Sequence, residues 1–304
     1  MVVKLLVTVG TYEKTVYGVD FKLDGGDDDF KVLAKKSSFS IPAHIGYVKS
    51  ISSGPQYLVS GSTDETVRIF DLKRRKDYGS LNSHSGSIAC MAFYKQKMLF
   101  TGGEDGKIIV TRCADWEPMM TLKAHAGGVN SIAVHPSGKL ALSSGKDKNI
   151  KTWNLAVGKV ALKTKHAFAV ERIVWSPQGS YYAFLSDRHV QIFATDGAKM
   201  LIDEKPAKKI LCGAFLTETK LLVAGEGSDL MIHDIQTKSW TTIETAHSPR
   251  IKDLQVIEVD GKIIVASGSS NGLMCLWRFD GSNLTLLDKV ESGLRITCLT
   301  VTTQ

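Results

Sequence analysis

The sequence predicts an all-β repeat protein, and three observations carry that reading. Histidines recur at a near-fixed interval: His44, His84, His125 and His166 stand 40, 41 and 41 residues apart, and His247 follows two intervals later. Each opens an alternating apolar run, as in His44-Ile-Gly-Tyr-Val, His84-Ser-Gly-Ser-Ile and His125-Ala-Gly-Gly-Val, the pattern of a half-buried strand. Glycine-containing turns then punctuate the intervals at matching offsets.

Within one interval the elements follow in a fixed order. The first strand runs into a hairpin turn, His135-Pro-Ser-Gly138 or Ser176-Pro-Gln-Gly179, 10 residues after His125 and His166. A second apolar run leads to Ser60-Gly-Ser-Thr-Asp64, Thr101-Gly-Gly-Glu-Asp105 and Ser143-Ser-Gly-Lys-Asp147. A third strand follows at once: Thr66-Val-Arg-Ile-Phe-Asp71, Ile108-Ile-Val-Thr-Arg112 and Asn149-Ile-Lys-Thr-Trp-Asn154. The copy over 206–234 is the least regular, with Pro206 at the His position and Gly227 at the turn Asp, so its internal polar contacts are expected to be the weakest.

The recurring His, the Ser/Thr-Gly-x-x-Asp turn and the closing aromatic-Asp pair resemble the WD-repeat family, which implies four-stranded antiparallel blades of a β-propeller. No copy keeps Trp-Asp itself: the closing pairs are Phe70-Asp71, Thr111-Arg112, Trp153-Asn154, Phe193-Ala194, His233-Asp234 and Trp277-Arg278. Glu13-Lys-Thr-Val-Tyr-Gly-Val-Asp20 aligns with Asp64-Glu-Thr-Val-Arg-Ile-Phe-Asp71, so the chain starts at the second strand of a repeat. Arg295-Ile-Thr-Cys-Leu-Thr-Val301 supplies the missing first strand. The expectation is one domain over 1–304 with seven blades. A composite blade from 1–40 and 289–304 closes the ring, and the other six begin near 44, 84, 125, 166, 206 and 247. Closure removes the exposed sheet edges of an open array.

Composition fits this reading. In 304 residues, 43% hydrophobic, 23% charged and 7 Pro against 27 Gly are the balance of a globular chain, neither disordered nor collagen-like. Five widely spaced cysteines without a C-x-x-C pair write neither a disulfide framework nor a zinc site, and they point to a reducing compartment. The apolar start over 1–9 is broken by Lys4 and Thr8 and is too short for a membrane span, so neither secretion nor membrane insertion is expected. Asp24-Gly-Gly-Asp-Asp-Asp29 reads as a solvated acidic loop in preference to a metal site. No cofactor, metal or small-molecule substrate is expected, for no P-loop, nucleophile elbow or zincin motif is present.

Ser143, His125 and Asp147 could be a nucleophile, base and orienting acid. Equivalent sets, however, recur as His44, Ser60, Asp64 and as His84, Thr101, Asp105, whereas catalysis needs one activated constellation. By resemblance these residues, with Trp153, form a structural network in which Asp accepts from His, His meets the hydroxyl and the hydroxyl meets the indole. The chain is therefore expected to be no enzyme.

On a closed propeller, function sits on the loops around the channel. The residue just before each first-strand Val or Ile is Tyr47, Ser87, Gly128, Ala169, Lys209, Arg250 or Arg295 in turn. Tyr47, Lys209, Arg250 and Arg295 are expected to form a partner-binding arc suited to an acidic peptide, a phosphate or a stacked base; the alternative is three unrelated solvated charges. Lys73-Arg74-Arg75-Lys76 falls on the opposite rim, where it either contacts an RNA backbone or serves solubility, and Lys146, Lys148 and Lys151 raise the same question.

The stretches Thr121–Val129, His135–Ser143 and Lys148–Leu155 look like one subfamily in particular, as do Ser60–Thr66, His84–Ile88 and Arg295–Leu299. It comprises the p21-activated-kinase-interacting proteins and their fungal counterparts, nucleolar WD-repeat factors for assembly of the large ribosomal subunit. The resemblance implies a scaffold in the nucleus and nucleolus. Its implied partners are pre-ribosomal assembly factors, with rRNA and a p21-activated-type kinase as further candidates.

Overall fold

Apolar alternation pairs the strands within each repeat, and the faces left over pack between repeats. A computed structural model describes residues 2–25, 30–248 and 250–304. These form 28 strands in seven four-stranded antiparallel sheets, a seven-bladed β-propeller. Blades 1 to 6 follow in chain order, with inner strands Val48–Ser53, Ile88–Tyr94, Val129–Val134, Arg172–Trp175, Ile210–Phe215 and Ile251–Val259. Blade 7 is composite. Its inner strand Ile296–Thr303 pairs with Val2–Thr11, which pairs with Thr15–Gly25, which pairs with Phe30–Pro42. Lys289, Val290 and Glu291 stay in the outer strand of blade 6, so the last segment of blade 7 begins at Ile296.

Closure turns the core into seven separate seams, one between each pair of neighbouring blades. Phe100, Ile108, Val129 and Trp153 fill the seam between blades 2 and 3. Leu5, Phe21, Ile264 and Leu276 fill that between blades 6 and 7, and Leu6, Val16, Val48 and Leu58 that between 7 and 1. Glycine in the second strand sets how closely blades approach. A Cβ on Gly61 would stand 2.5 Å from Ile88 Cγ2, and one on Gly102 2.8 Å from Val129 Cγ1, each on the β-branched residue that opens the next inner strand. The Ser/Thr-Gly turn is thus a packing requirement as well as a turn signal.

Candidate functional site

Two constellations sit at the loop end of the blades: the buried polar networks and the rim around the channel. In blade 3, His125 Nδ1 lies 2.9 Å from Asp147 Oδ1, His125 Nε2 lies 2.8 Å from Ser143 Oγ, and Trp153 Nε1 donates to Ser143 Oγ at 2.9 Å. A carboxylate only accepts, so the His125 proton is on Nδ1 and Nε2 accepts from the serine hydroxyl. Blades 1 and 2 repeat the pattern: His44 bonds Asp64 at 3.1 Å and Ser60 at 2.8 Å, and His84 bonds Asp105 at 3.1 Å and Thr101 at 2.8 Å. The Asp of each set also takes backbone N–H groups from the loop after the His, those of Ile45, Ser85 and Ala126, and so ties that loop to the turn between the second and third strands.

Electrostatics follow burial. Desolvation lowers His125 and His44, and the Asp147 and Asp64 carboxylates offset it only in part. Burial alone would raise Asp147, but hydrogen bonds from Asn149, the Ala126 N–H and His125 overcome it and hold the carboxyl at about 2. The distances are those of a nucleophile, base and acid, yet Ser143 is 0% exposed and its oxygen is already engaged by the Trp153 indole. A substrate carbonyl has no path to that hydroxyl, and burial depresses the basicity of its histidine.

The rim is built by a repeated backbone clasp. Outside blade 4, where the Ala169 carbonyl accepts from the Ser186 hydroxyl instead, the residue before the inner strand offers its carbonyl to a turn N–H: Tyr12 to Arg295 at 2.9 Å, Thr63 to Tyr47 at 3.2 Å, Glu226 to Lys209 at 2.9 Å and Ser270 to Arg250 at 3.1 Å. Lys209, Arg250, Arg295 and Tyr47 therefore occupy equivalent places on consecutive blades 5, 6, 7 and 1. Each cation meets a carboxylate: Lys209 with Asp187 at 3.0 Å, Arg250 with Glu226 at 3.8 Å and Arg295 with Glu13 at 2.7 Å. At the junction of blades 7 and 1 the Arg295 guanidinium lies 4.2 Å from the Tyr12 ring centroid, and Tyr12 stacks on Tyr47 at 5.3 Å. Ile45, beside them in sequence, is 85% exposed.

The family model for the WD domain, G-beta repeat, matches residues 35–71, 75–111 and 116–154. Along nearly its whole length the chain is similar to p21-activated protein kinase-interacting protein 1-like of Xenopus laevis, 34% identical over 301 residues, which cover 98% of this chain and 81% of that protein. The chain belongs to this WD40-repeat family. It is also similar to Shk1 kinase-binding protein 15 of Schizosaccharomyces pombe, at 31% over 301 residues, 97% of this chain and 83% of that protein. Protein MAK11 of Saccharomyces cerevisiae is 28% identical over 345 residues, 97% of this chain and 82% of its own length.

Other expected residues fall elsewhere on the WD40 scaffold. Lys73, Arg74 and Arg75 lie between the third and outer strands of blade 1, and Lys76 opens the outer strand. Arg75 is engaged within the fold, by Asp20 at 3.4 Å, by Ser38 and by Gln304, and it lies over the Phe39 ring. The acidic run over 27–29 lies outside the described residues.

The third residue of each inner strand, Ser50, Cys90, Ser131, Cys212, Asp253 and Cys298 with Arg172 at the same place in blade 4, forms one layer around the channel. Ser131 Oγ and Asp253 Oδ2 accept the N–H of Ile173 and Leu299 in the next blade. Arg172 instead reaches past the small Cys212 of blade 5 to Asp253 of blade 6, at 2.6 Å. Burial raises the Cys90 and Cys298 thiols to about 12, so they stay protonated.

Sequence reasoning missed two groups. Blade 6 carries a further network: His247 bonds Ser267 at 2.8 Å and Ser269 at 2.9 Å, and the Trp277 indole donates to Ser267 at 2.8 Å. The longer first hairpin of that blade displaced these residues from the offsets of the other repeats. Tyr12, Glu13 and Ile45 were missed on the rim. A signal existed for Ile45, since the residue after the repeat histidine is small elsewhere: Ser85, Ala126, Ala167 and Ser248.

Proposed function

We propose that this chain is a non-enzymatic scaffold that docks assembly factors, and rRNA with them, during nucleolar biogenesis of the large ribosomal subunit. The observation that carries a docking role is the rim cluster of Tyr12, Tyr47, Arg295 and the exposed Ile45. Aromatic and arginine side chains beside an uncovered aliphatic group are the composition of a binding hot spot, and covering Ile45 alone would contribute about 1.5–3 kcal/mol. The choice of particle comes from the family resemblance. The tested variant is Tyr47→Ala with Arg295→Glu, both in loops before inner strands, Arg295 exposed and Tyr47 half-buried. It should leave thermal unfolding within a few degrees of the parent and shift the protein from large-subunit precursor fractions to the top of a sucrose gradient. Full co-sedimentation of a folded variant would remove the rim from the proposal, and exclusion of the parent chain would remove the particle.

The names of the Xenopus and Schizosaccharomyces relatives favour a second reading, a signalling adaptor that binds and inhibits a p21-activated-type kinase. Lys209, Arg250 and Arg295 would face an acidic kinase segment on this reading, although each already holds a carboxylate that such a segment must displace. Saturable binding of an isolated kinase regulatory segment without RNA, lost on charge reversal at these three positions, would support it. Absence of binding at concentrations that saturate the scaffold's own partners would exclude it.

A further inference from the structure

We propose that the outer face of blade 3 is a track for single-stranded RNA, distinct from the rim and from the Lys73–Lys76 loop. Between residues 148 and 170 the chain has five lysines, Lys148, Lys151, Lys159, Lys163 and Lys165, and no Asp or Glu, so this stretch carries +5 against a formal +7 for the whole chain. The outer strand Lys159–Lys165 is exposed at every position. Lys151 stands directly opposite Lys163 across the strand pair, and Lys165 opposite Asn149. Like charges placed opposite one another weaken a sheet, and the proximity of Lys163 adds to burial in pulling Lys151 below its ordinary value. Among the described residues none of the five lysines has a carboxylate within ion-pair distance. Blades 1 and 2 pair some of their outer cations with carboxylates, Arg68 with Asp77 and Arg112 with Asp115.

The lysine track ends in an aromatic cluster. Phe168 stacks on His189 at 4.3 Å and 22°, His166 meets Phe168 edge-on at 4.5 Å, and exposed Arg188 adjoins His189. A charged backbone laid on lysines with bases against aromatic faces is how single strands are held without sequence readout. An acidic peptide adding to the outer edge would use backbone groups that every blade offers. Blade 3 differs in having cations on two strands and a turn, with the aromatic cluster of the adjoining blade 4 loop at one end, and that combination suits a polyanion carrying stacking bases. The inference rests on the scaffold reading only for where such RNA would be met; the binding itself does not depend on it.

The test uses the full chain and a labelled unstructured RNA of roughly 20 nucleotides, long enough to span a site of this kind, with anisotropy titrations at several salt concentrations. At about 0.7 per contact for single strands, five contacts give a log–log salt slope near −3.5. Lys151→Gln with Lys163→Glu and Lys165→Glu should flatten the slope by about 2 and lower affinity roughly tenfold or more at moderate salt. The same reversal at Lys73, Arg74 and Lys76 should change affinity less than about twofold. Lys163→Glu alone should unfold at the same or a higher temperature, since it replaces a like-charge pair by an unlike one, and this separates lost binding from lost fold. No RNA binding by the parent chain, or unchanged binding by the triple variant, would overturn the proposal. So would competition by polyglutamate as effective as that by unlabelled RNA at equal charge, which would assign the face to an acidic peptide. Failure of the scaffold reading would look different: absence from precursor particles with RNA binding intact.

Discussion

Blades 3 and 5 fill the same three slots with opposite chemistry. In blade 3 the hydroxyl slot of the second strand is Ser143, the slot before the third-strand end is Trp153, and His125 joins them to Asp147. In blade 5 the strand pairing puts Val223 and His233 in the corresponding places, and Pro206 stands where the histidine would be. His233 is fully buried with both ring nitrogens unpartnered, its ring edge-on to Trp240 at 4.7 Å. Blade 4 is intermediate: His166 is kept but meets Phe184 in the hydroxyl slot, and its Nδ1 is unpartnered. A blade therefore does not need the network to fold. The network belongs to blades whose slots are polar, where every member must find its partner.

The difference between the two blades should show most strongly at Ser143→Ala. Removing that hydroxyl strands His125 Nε2 and Trp153 Nε1 together in a dry site, so unfolding free energy should fall by about 2–4 kcal/mol. Urea unfolding checks this, and a loss below about 1 kcal/mol would mean the site rehydrates or repacks as blade 5 does. Activity is a second readout: any turnover found for the parent and abolished here in the folded protein would reinstate the catalytic reading.

Acid should separate the networks next. Among the described residues of blade 6 no carboxylate bonds His247, which meets Ser269 where His125 meets Asp147. Burial therefore drives His247 down to about 4 from 6.5. A folded value below the unfolded one means stability that is complete above about 6.5 and declines as pH falls towards 4, by about 2–3 kcal/mol from this group. Asp147 and Asp64, held at about 2 against 3.8, contribute in a separate and lower window, losing their stabilisation as pH falls from 3.8 to 2. His247→Gln should flatten the upper limb of a stability–pH curve and leave the lower limb alone. An unchanged upper limb would show that other histidines carry it.

The repeat period, blade count and closure were legible because register is written many times over: a 41-residue spacing, Gly61 and Gly102 at the blade seams, and the alignment of Glu13–Asp20 with Asp64–Asp71 all agree. The site was legible where sequence offset and spatial neighbour coincide, as for His125, Ser143 and Asp147. It was opaque where spatial pairing decides. Nothing in the order of residues puts Arg172 beside Asp253 across an intervening blade, Glu13 beside Arg295, or Lys151 opposite Lys163. Ile45 was readable only by asking which repeat breaks its own rule.

The smallest expected effect is the most discriminating, because its sign is reversed. If blade 5 is an apolar solution to the same geometry, then His233 is its one polar misfit, a neutral imidazole kept uncharged by burial with neither nitrogen bonded. His233→Phe removes two unpaired polar atoms at similar volume, keeps the edge-on contact with Trp240, and matches Phe193 and Phe70 in the same slot of blades 4 and 1. Stability at neutral pH should rise by about 1 kcal/mol. The gain should grow as pH falls below 6.5, since the unfolded parent then takes up a proton that its folded form resists. A loss at both pH values would mean that His233 has a partner after all, water included, and that blade 5 hides a polar network of its own.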